Sequence, residues 1–379
     1  MAMSRIEYGN FAISLPSADL TANFAGVFEQ QGYDFYTYWD QANGFQPHSI
    51  HTPDVTPIAE QVPTLQLFYD SAPLIAVAAQ QTERIKFLHG SIDSVRRSPF
   101  VIAQTMLTLD HLTKGRTITL IGAGEQKQMR PYGYSRIGSH DKLVDTVQII
   151  RRFLDSGGEP ISYEGRVWTL DRALMALQPY GPTPPEMWVA GSSDDDLQLV
   201  ADAATGWATI PPGFTEDDPE VFADQVRRLR KLTAEAGRDP DELSICISAV
   251  VCLTENEAQM ETLRDNPYLR WWGMMFLPNS DLYDQWGIGE HPMGPGWMYA
   301  RKCVPYWYDR EQAMDVVDRT PRESVDRVSM NGTVEQVAEK LAPYLEAGAT
   351  HVLLTNAAPI AGMPDLGSDL MAALRAAER

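Results

Sequence analysis

The chain has 379 residues, 44% of them hydrophobic, and carries a formal charge of −20 with an isoelectric point near 4.7. That much apolar sequence fills one large domain or two ordinary ones, and so acidic a surface repels nucleic acid phosphates and anionic membranes, which removes both as partners. Three scattered cysteines, Cys246, Cys252 and Cys303, without a Cys-x-x-Cys pair exclude a disulfide scaffold or a zinc ribbon.

The start, MAMSRIEYGN, lacks a basic end followed by an apolar core, so no signal peptide is expected. With the sparse cysteines, a reducing cytoplasm is the expected location. Ile6–Ile13 reads as a strand, Leu20–Gln31 as a helix stopped by Gly32, and Phe35–Trp39 as a second strand. A Pro- and His-bearing loop, Gly44–Thr64, precedes a helix over Tyr69–Gln81. Its apolar stretch at Ala72–Ala79 is the longest in the chain, far short of the ~20 residues that span a bilayer. Ile85–Ile92, Thr117–Ile121, Met187–Ala190, Trp207–Ile210 and Leu243–Leu253 read as further strands. Helical patterns lie between and after them at Phe100–Leu112, Lys142–Leu154, Asp194–Ala204, Pro219–Ala236 and Glu255–Leu263. The segment Asp265–Gly332 is irregular and aromatic, with Trp271, Trp272, Trp286, Trp297 and Trp307. Val334–Ala347 is helical, Thr350–Thr355 is the eighth strand, and the helix Asp365–Ala377 closes the chain.

Eight strands alternating with helices imply a parallel sheet with right-handed crossovers, and eight is the number that closes a barrel. The fold class expected is therefore α/β, a (β/α)8 TIM barrel with insertions, formed by residues 1–379 as one domain with an insertion at 265–332. The competing architecture is an open doubly wound sheet with a second domain. The barrel is preferred because no low-complexity or Ser/Gly-rich linker divides the chain. The insertion either roofs a pocket for a large apolar substrate or covers the barrel and a dimer face.

In a barrel, chemistry collects at the C-terminal strand ends. Those ends read Trp39-Asp40-Gln41, Gly90-Ser91-Ile92-Asp93, Gly122-Ala123-Gly124-Glu125 and Ala190-Gly191-Ser192-Ser193. Gly122 and Gly124 also begin a dinucleotide fingerprint, but its sixth position is Lys127, which would block the close helix packing of the third glycine. Glu125 is the leading acid; its bland alternative is a salt bridge to Arg130 or Arg136. Asp40 orients a ligand ring or merely caps a turn. Ser192 and Ser193 either N-cap a helix or hold a phosphate at its N-terminus, and Asp194–Asp196 count against the phosphate. His48 and His51 are spaced for a metal pair, but no Glu or Cys ligand accompanies them; no metal site is expected. No GxSxG or HExxH is present, which weakens hydrolase readings.

Together these ends resemble the luciferase-like monooxygenase superfamily, specifically its coenzyme F420-dependent reductases. The resemblance rests on Ser91-Ile92-Asp93-Ser94-Val95-Arg96-Arg97-Ser98-Pro99, on Lys114-Gly115-Arg116 followed by Gly122-Ala123-Gly124-Glu125, and on Trp188-Val189-Ala190-Gly191. Within it, Asp40-Gln41-Ala42-Asn43, Pro47-His48-Ser49-Ile50 and His291-Pro292-Met293-Gly294 are similar to the phthiodiolone ketoreductase branch. The resemblance implies a (β/α)8 barrel, usually a homodimer, with a deazaflavin in its mouth. It implies a cis peptide at Ser91-Ile92, Glu125 as the acid near the ring, Asp40 as the ring-side aspartate, and Ala190, Gly191, Ser192 and Ser193 around the cofactor phosphate. Ser91, Ile92, Asp93, Gly122 and Gly124 complete the implied cofactor set. Many members carry a histidine after the aspartate. Here it is Gln41, which cannot exchange a proton at neutral pH, so His48, His51, Glu125 or water must serve.

The expected function is hydride transfer between reduced F420 and a ketone or activated double bond of a sizeable apolar small molecule. The same-fold competitor is an FMN-dependent monooxygenase, and the competitor from another class is a non-catalytic barrel that binds a cofactor or partner.

Overall fold

The computed structural model describes residues 5–11, 13–211 and 217–378. Eight parallel strands close into a barrel: β1 (Glu7–Asn10), β2 (Phe35–Tyr38), β3 (Lys86–Asp93), β4 (Thr117–Gly122), β5 (Glu186–Ala190), β6 (Gly206–Thr209), β7 (Ser244–Leu253) and β8 (His351–Asn356). Each pairs with the next, and β8 pairs back onto β1, with Glu7 opposite His351 and Asn10 opposite Leu354. The open-sheet alternative is thereby removed. Every expected barrel strand forms with its ends shifted by a few residues. The first is the shortest relative to expectation, and its expected range includes Ala12, outside the described residues.

Strand alternation separates two cores. Along β7, Ile245, Ile247, Ala249, Val251 and Leu253 face the surrounding helices. Cys246 joins Phe35, Leu88, Ile118, Leu120, Trp188 and Leu353 inside the barrel. Cys246 and Cys252 share the inner side, as their common parity requires. The helices sit where their start signals place them. Pro99–Thr113 follows a Ser98 cap whose hydroxyl accepts from Val101 N–H, and Asp194–Ala203 starts with a Ser193–Asp196 capping box.

Two features depart from the sequence expectation. Ile161–Glu164 and Thr169–Ala173 form an antiparallel hairpin outside the barrel. Its residues are largely exposed, so no apolar alternation announces it. The buried Asp145 carboxylate anchors it, accepting from the amides of Val167 (2.7 Å) and Trp168 (2.8 Å) and from the Tyr163 hydroxyl (3.0 Å). The insertion, for its part, is built of short helices, the longest being Arg310–Arg319. It buries Trp271, Trp272, Met274, Met275, Trp297 and Tyr299 against Ile50 and Val55 of the Gly44–Thr64 loop and Val250 and Cys252 of β7. No helix among the described residues is long and apolar enough to cross a membrane.

Candidate active site at the barrel mouth

The C-terminal ends of the strands open into a cavity of about 550 Å³ with a mainly apolar lining. That volume lies in the range of small-molecule sites. Asp40, Gln41, Ser91, Asp93, Gly122, Gly124, Glu125, Ala190, Gly191, Ser192 and Ser193 all line it. The insertion adds Trp272, Phe276, Leu277, Met298 and Tyr299, so it does roof the pocket. A second, more polar hollow of about 590 Å³, between Thr254 and Lys340, contains none of the residues singled out in the sequence.

Two expected residues are not on the lining. Ile92 is buried in the core between strands and helices, because strand alternation turns it away from its neighbours Ser91 and Asp93. His48 is exposed and outside the cavity wall, since the Pro47–Ile50 turn carries it outward. The cis peptide lies at Gly90-Ser91, one residue before the expected position; a second is at Pro16-Ser17. His51 is buried, with Nδ1 2.6 Å from the Tyr268 hydroxyl and Nε2 2.6 Å from the Val62 carbonyl. It ties the long loop to the insertion. Among the described residues, no group of three metal-ligating side chains comes together.

Glu125 follows Gly124, whose φ of +77° suits glycine, and a Cβ there would meet the Asp93 carboxylate at 2.6 Å. The carboxylate of Glu125 does not pair with Arg130 or Arg136. Its partner is Lys127, whose ammonium lies 3.2 Å from Oε2 with no exposed side-chain surface. The contact is within ion-pair reach but off the line of a hydrogen bond, since Oε2 receives none. The same ammonium donates to the Asn43 carbonyl (3.1 Å) and to Gln41 Oε1, and sits 4.0 Å from the centre of the Phe45 ring. Gln128 Nε2 also donates to Gln41 Oε1. Burial pushes the Lys127 ammonium below the ordinary lysine range, against the pull of Glu125. This lysine, which in sequence only argued against a dinucleotide turn, is the central cation of the site.

Asp40 is committed on both oxygens: Oδ1 accepts from Arg97 (2.9 Å) and Oδ2 from Arg96 (3.1 Å). Arg96 also reaches Asp93 Oδ2 at 3.1 Å, joining the ends of β2 and β3. Burial raises the Asp93 carboxyl above its usual range, in opposition to the Val95 amide and Arg96.

At the end of β5, the Asp196 carboxylate folds back over the start of its own helix. Oδ2 accepts from the amides of Ser192 (3.2 Å) and Ser193 (3.0 Å) and from the Ser193 hydroxyl (2.6 Å), and His140 Nε2 lies 3.1 Å from Oδ1. A Cβ on Gly191 would strike this carboxylate at 2.4 Å. Burial acts to raise Asp196, but the hydrogen bonds from His140 and Ser193 prevail and hold it below the usual carboxylate range. The bond to Asp196 in turn raises His140.

A family model described as luciferase-like monooxygenase matches residues 7–351. The chain belongs to the luciferase-like monooxygenase family. A phthiodiolone/phenolphthiodiolone dimycocerosates ketoreductase from Mycobacterium kansasii is 28% identical over 329 residues, covering 86% of this chain and 87% of the relative. An F420-dependent secondary alcohol dehydrogenase, solved with an F420–acetone adduct, superposes with a TM-score of 0.72 at 18% identity, covering 99% of this chain and 100% of that one. A long-chain alkane monooxygenase superposes at 0.65 with 16% identity, over 99% and 92%. The fold expected from the sequence, a luciferase-like barrel, is the fold found. The proteins of similar fold include both an F420-dependent dehydrogenase and a monooxygenase.

Proposed function

We propose that the protein is a coenzyme F420-dependent oxidoreductase that reduces a ketone or activated double bond of a sizeable apolar molecule. The observation that carries this is the Gln41–Lys127–Glu125 network, in which Gln41 and Glu125 line an apolar cavity at the strand ends and Lys127 is buried behind them. The ketoreductase relative supports the reaction class, and the F420-dependent structural neighbour supports the cofactor.

The residues present fit a flat polar-edged ring. The wall is glycine and alanine at Gly122, Ala123, Gly124, Ala190 and Gly191. The lining residues Trp39 and Thr209 carry buried polar atoms without a protein partner, which the ring's heteroatoms would satisfy. Asp40, fixed by Arg96 and Arg97, would stand beside the ring, and Ser91, Asp93, Gly122 and Gly124 would complete the cradle. A bound deazaflavin supplies a hydride. The protein's own part is to position the carbonyl, exclude water and provide one proton. Gln41 has its carbonyl oxygen taken by Lys127 and Gln128, which leaves its amide N–H groups for a substrate oxygen. Glu125 passes on a proton supplied by the neighbouring Lys127 ammonium, whose hold on it burial weakens. His48 is off the wall and His51 is fully engaged, so neither serves. The insertion supplies Trp272, Phe276 and Tyr299 as the apolar grip on the substrate. The whole chain then acts as one catalytic unit, in a homodimer as the family resemblance implies.

Side-by-side fluorescence titration with F420 and FMN tests the cofactor, followed by anaerobic reduction of ketones and enones by reduced F420. Micromolar or tighter F420 binding with turnover is expected. Tighter FMN binding with substrate-dependent oxygen uptake would move the protein to the monooxygenase reading. Binding of neither would leave only the non-catalytic barrel.

A further inference from the structure

The sequence resemblance implies a ligand phosphate at the Ala190–Ser193 turn. The geometry there points elsewhere. Both free-facing amides of that turn and the Ser193 hydroxyl already converge on one Asp196 oxygen, at 3.2, 3.0 and 2.6 Å. Asp195, an exposed carboxylate, lines the cavity beside it. An incoming anion meets the carboxylates of Asp195 and Asp196, the latter offset only by His140 at 3.1 Å, and no uncommitted donor of that set.

Of the three arginines on the lining, Arg96 is held by Asp40 and Asp93, which leaves Arg136 and Arg301. Arg136 leaves the loop after β4 and uses Nε to hold the Gly124 carbonyl at 3.0 Å. Arg301 comes from the insertion, on the turn Tyr299–Lys302, which packs against the short helix Gln126–Met129. Both residues line the cavity. Among the described residues, neither has a carboxylate within ion-pair distance, in a chain where 51 acids outnumber 31 Lys and Arg. Burial, and then repulsion from Arg301, lower the Arg136 guanidinium from its usual value, against a pull from Glu125 and Asp93, neither of which reaches ion-pair distance. Two like charges with no carboxylate in direct contact are stabilised by an anion that binds both.

We propose that Arg136 and Arg301 form an anion subsite on the cavity rim, which takes a phosphate or carboxylate group of the bound ligand in place of the Ser192–Ser193 turn. The inference deepens the proposed function by making the insertion part of the ligand site. The anion is carried either by the cofactor or by the substrate.

The test uses the full-length, cofactor-free protein and its Arg136→Met, Arg301→Met and doubly substituted variants. Calorimetric titration with pyrophosphate should give saturable binding to the wild type, weakened about 10-fold or more by either single change, as loss of a charge-assisted contact requires. Titration with FMN against riboflavin, and with F420 against its tail-free deazaflavin core, locates the source. If the anion belongs to the cofactor, the wild type prefers the anionic member of each pair, and the preference collapses in the variants. If the substrate carries it, pyrophosphate binds alongside cofactor and cofactor affinities stay unchanged. Pyrophosphate binding that is absent from the wild type, or equal in wild type and double variant, overturns the proposal. Binding of riboflavin or the deazaflavin core reports the ring site separately, so failure of the anion subsite and failure of the cofactor reading give different results.

Discussion

Removing the charges of Lys127 and Glu125 together should cost less than the sum of removing each alone. At the 3.2 Å separation, an effective dielectric of about 20 gives a gross attraction of about 5 kcal/mol. The ammonium is wholly buried, whereas 18% of the Glu125 side chain remains exposed, so the carboxylate regains part of its hydration when its partner leaves. Lys127→Met keeps the stem against Phe45 but strands Glu125 and the acceptors on Gln41 and Asn43. Glu125→Gln strands a fully buried ammonium. Each single change should destabilise by about 3 kcal/mol, toward the low end for a broken buried pair, and the double change should recover about 2–3 kcal/mol of their sum. Urea unfolding followed by tryptophan fluorescence measures all four corners of the cycle. The same Glu125→Gln protein should bind cofactor within threefold of wild type while kcat falls about 10²–10⁴-fold, the range for losing a general acid. Additivity of the two changes within about 0.5 kcal/mol would refute the coupling, and an unchanged kcat would refute the assignment of Glu125.

Trp272→Ala should raise KM for long apolar ketones at least 10-fold and leave cofactor affinity unchanged, because Trp272 reaches the cavity from the insertion roof; steady-state kinetics and titration separate the two effects. The His140–Asp196 pair should add stability over a bounded pH window. His140 is raised, so its contribution is complete below the usual histidine value and fades as pH climbs through the higher folded value. Asp196 is lowered, so its contribution holds above the usual aspartate value and is lost as pH falls through the lower folded one. Thermal melts should therefore show a stability excess over Asp196→Asn between about pH 4 and 6.5 that narrows on either side, and parallel curves would contradict the pairing. Burial pushes the thiols of Cys246, Cys252 and Cys303 up to about 12, so a colourimetric disulfide reagent at pH 8 should label none of them in folded protein and all three after denaturation.

What could be read from the sequence and what could not divide along a physical line. Strand ends are local: an apolar run must stop where the chain leaves the barrel, so Trp39-Asp40-Gln41 and Gly122-Ala123-Gly124-Glu125 announce themselves by composition, and period-2 alternation sorts Cys246 to the inside. Alternation also explains the one cofactor residue misplaced, Ile92, which a correct parity reading of Ser91 and Asp93 would have turned outward. Burial of a charge is not local. Lys127, three residues beyond Gly124, looks like any surface lysine. Its partners Gln41 and Asn43 lie 86 and 84 positions earlier in the chain, and only closure of β2 through β4 brings their carbonyl oxygens to it. Without that meeting, the substitution of glutamine for a proton-exchanging histidine reads as a loss of chemistry. With it, the proposed function can use Gln41 as a donor polarised by a buried cation and leave the proton to the Glu125–Lys127 pair. The same reasoning applies to Arg301. The insertion looked like an apolar roof because its aromatics dominate its composition, while the one guanidinium that it brings to the cavity becomes meaningful only beside Arg136, from a loop some 165 residues earlier. A roof that supplies half of an anion site cannot be exchanged for another apolar cover, so grafting a neutral loop in its place should cost ligand anion affinity even if the cavity volume is preserved.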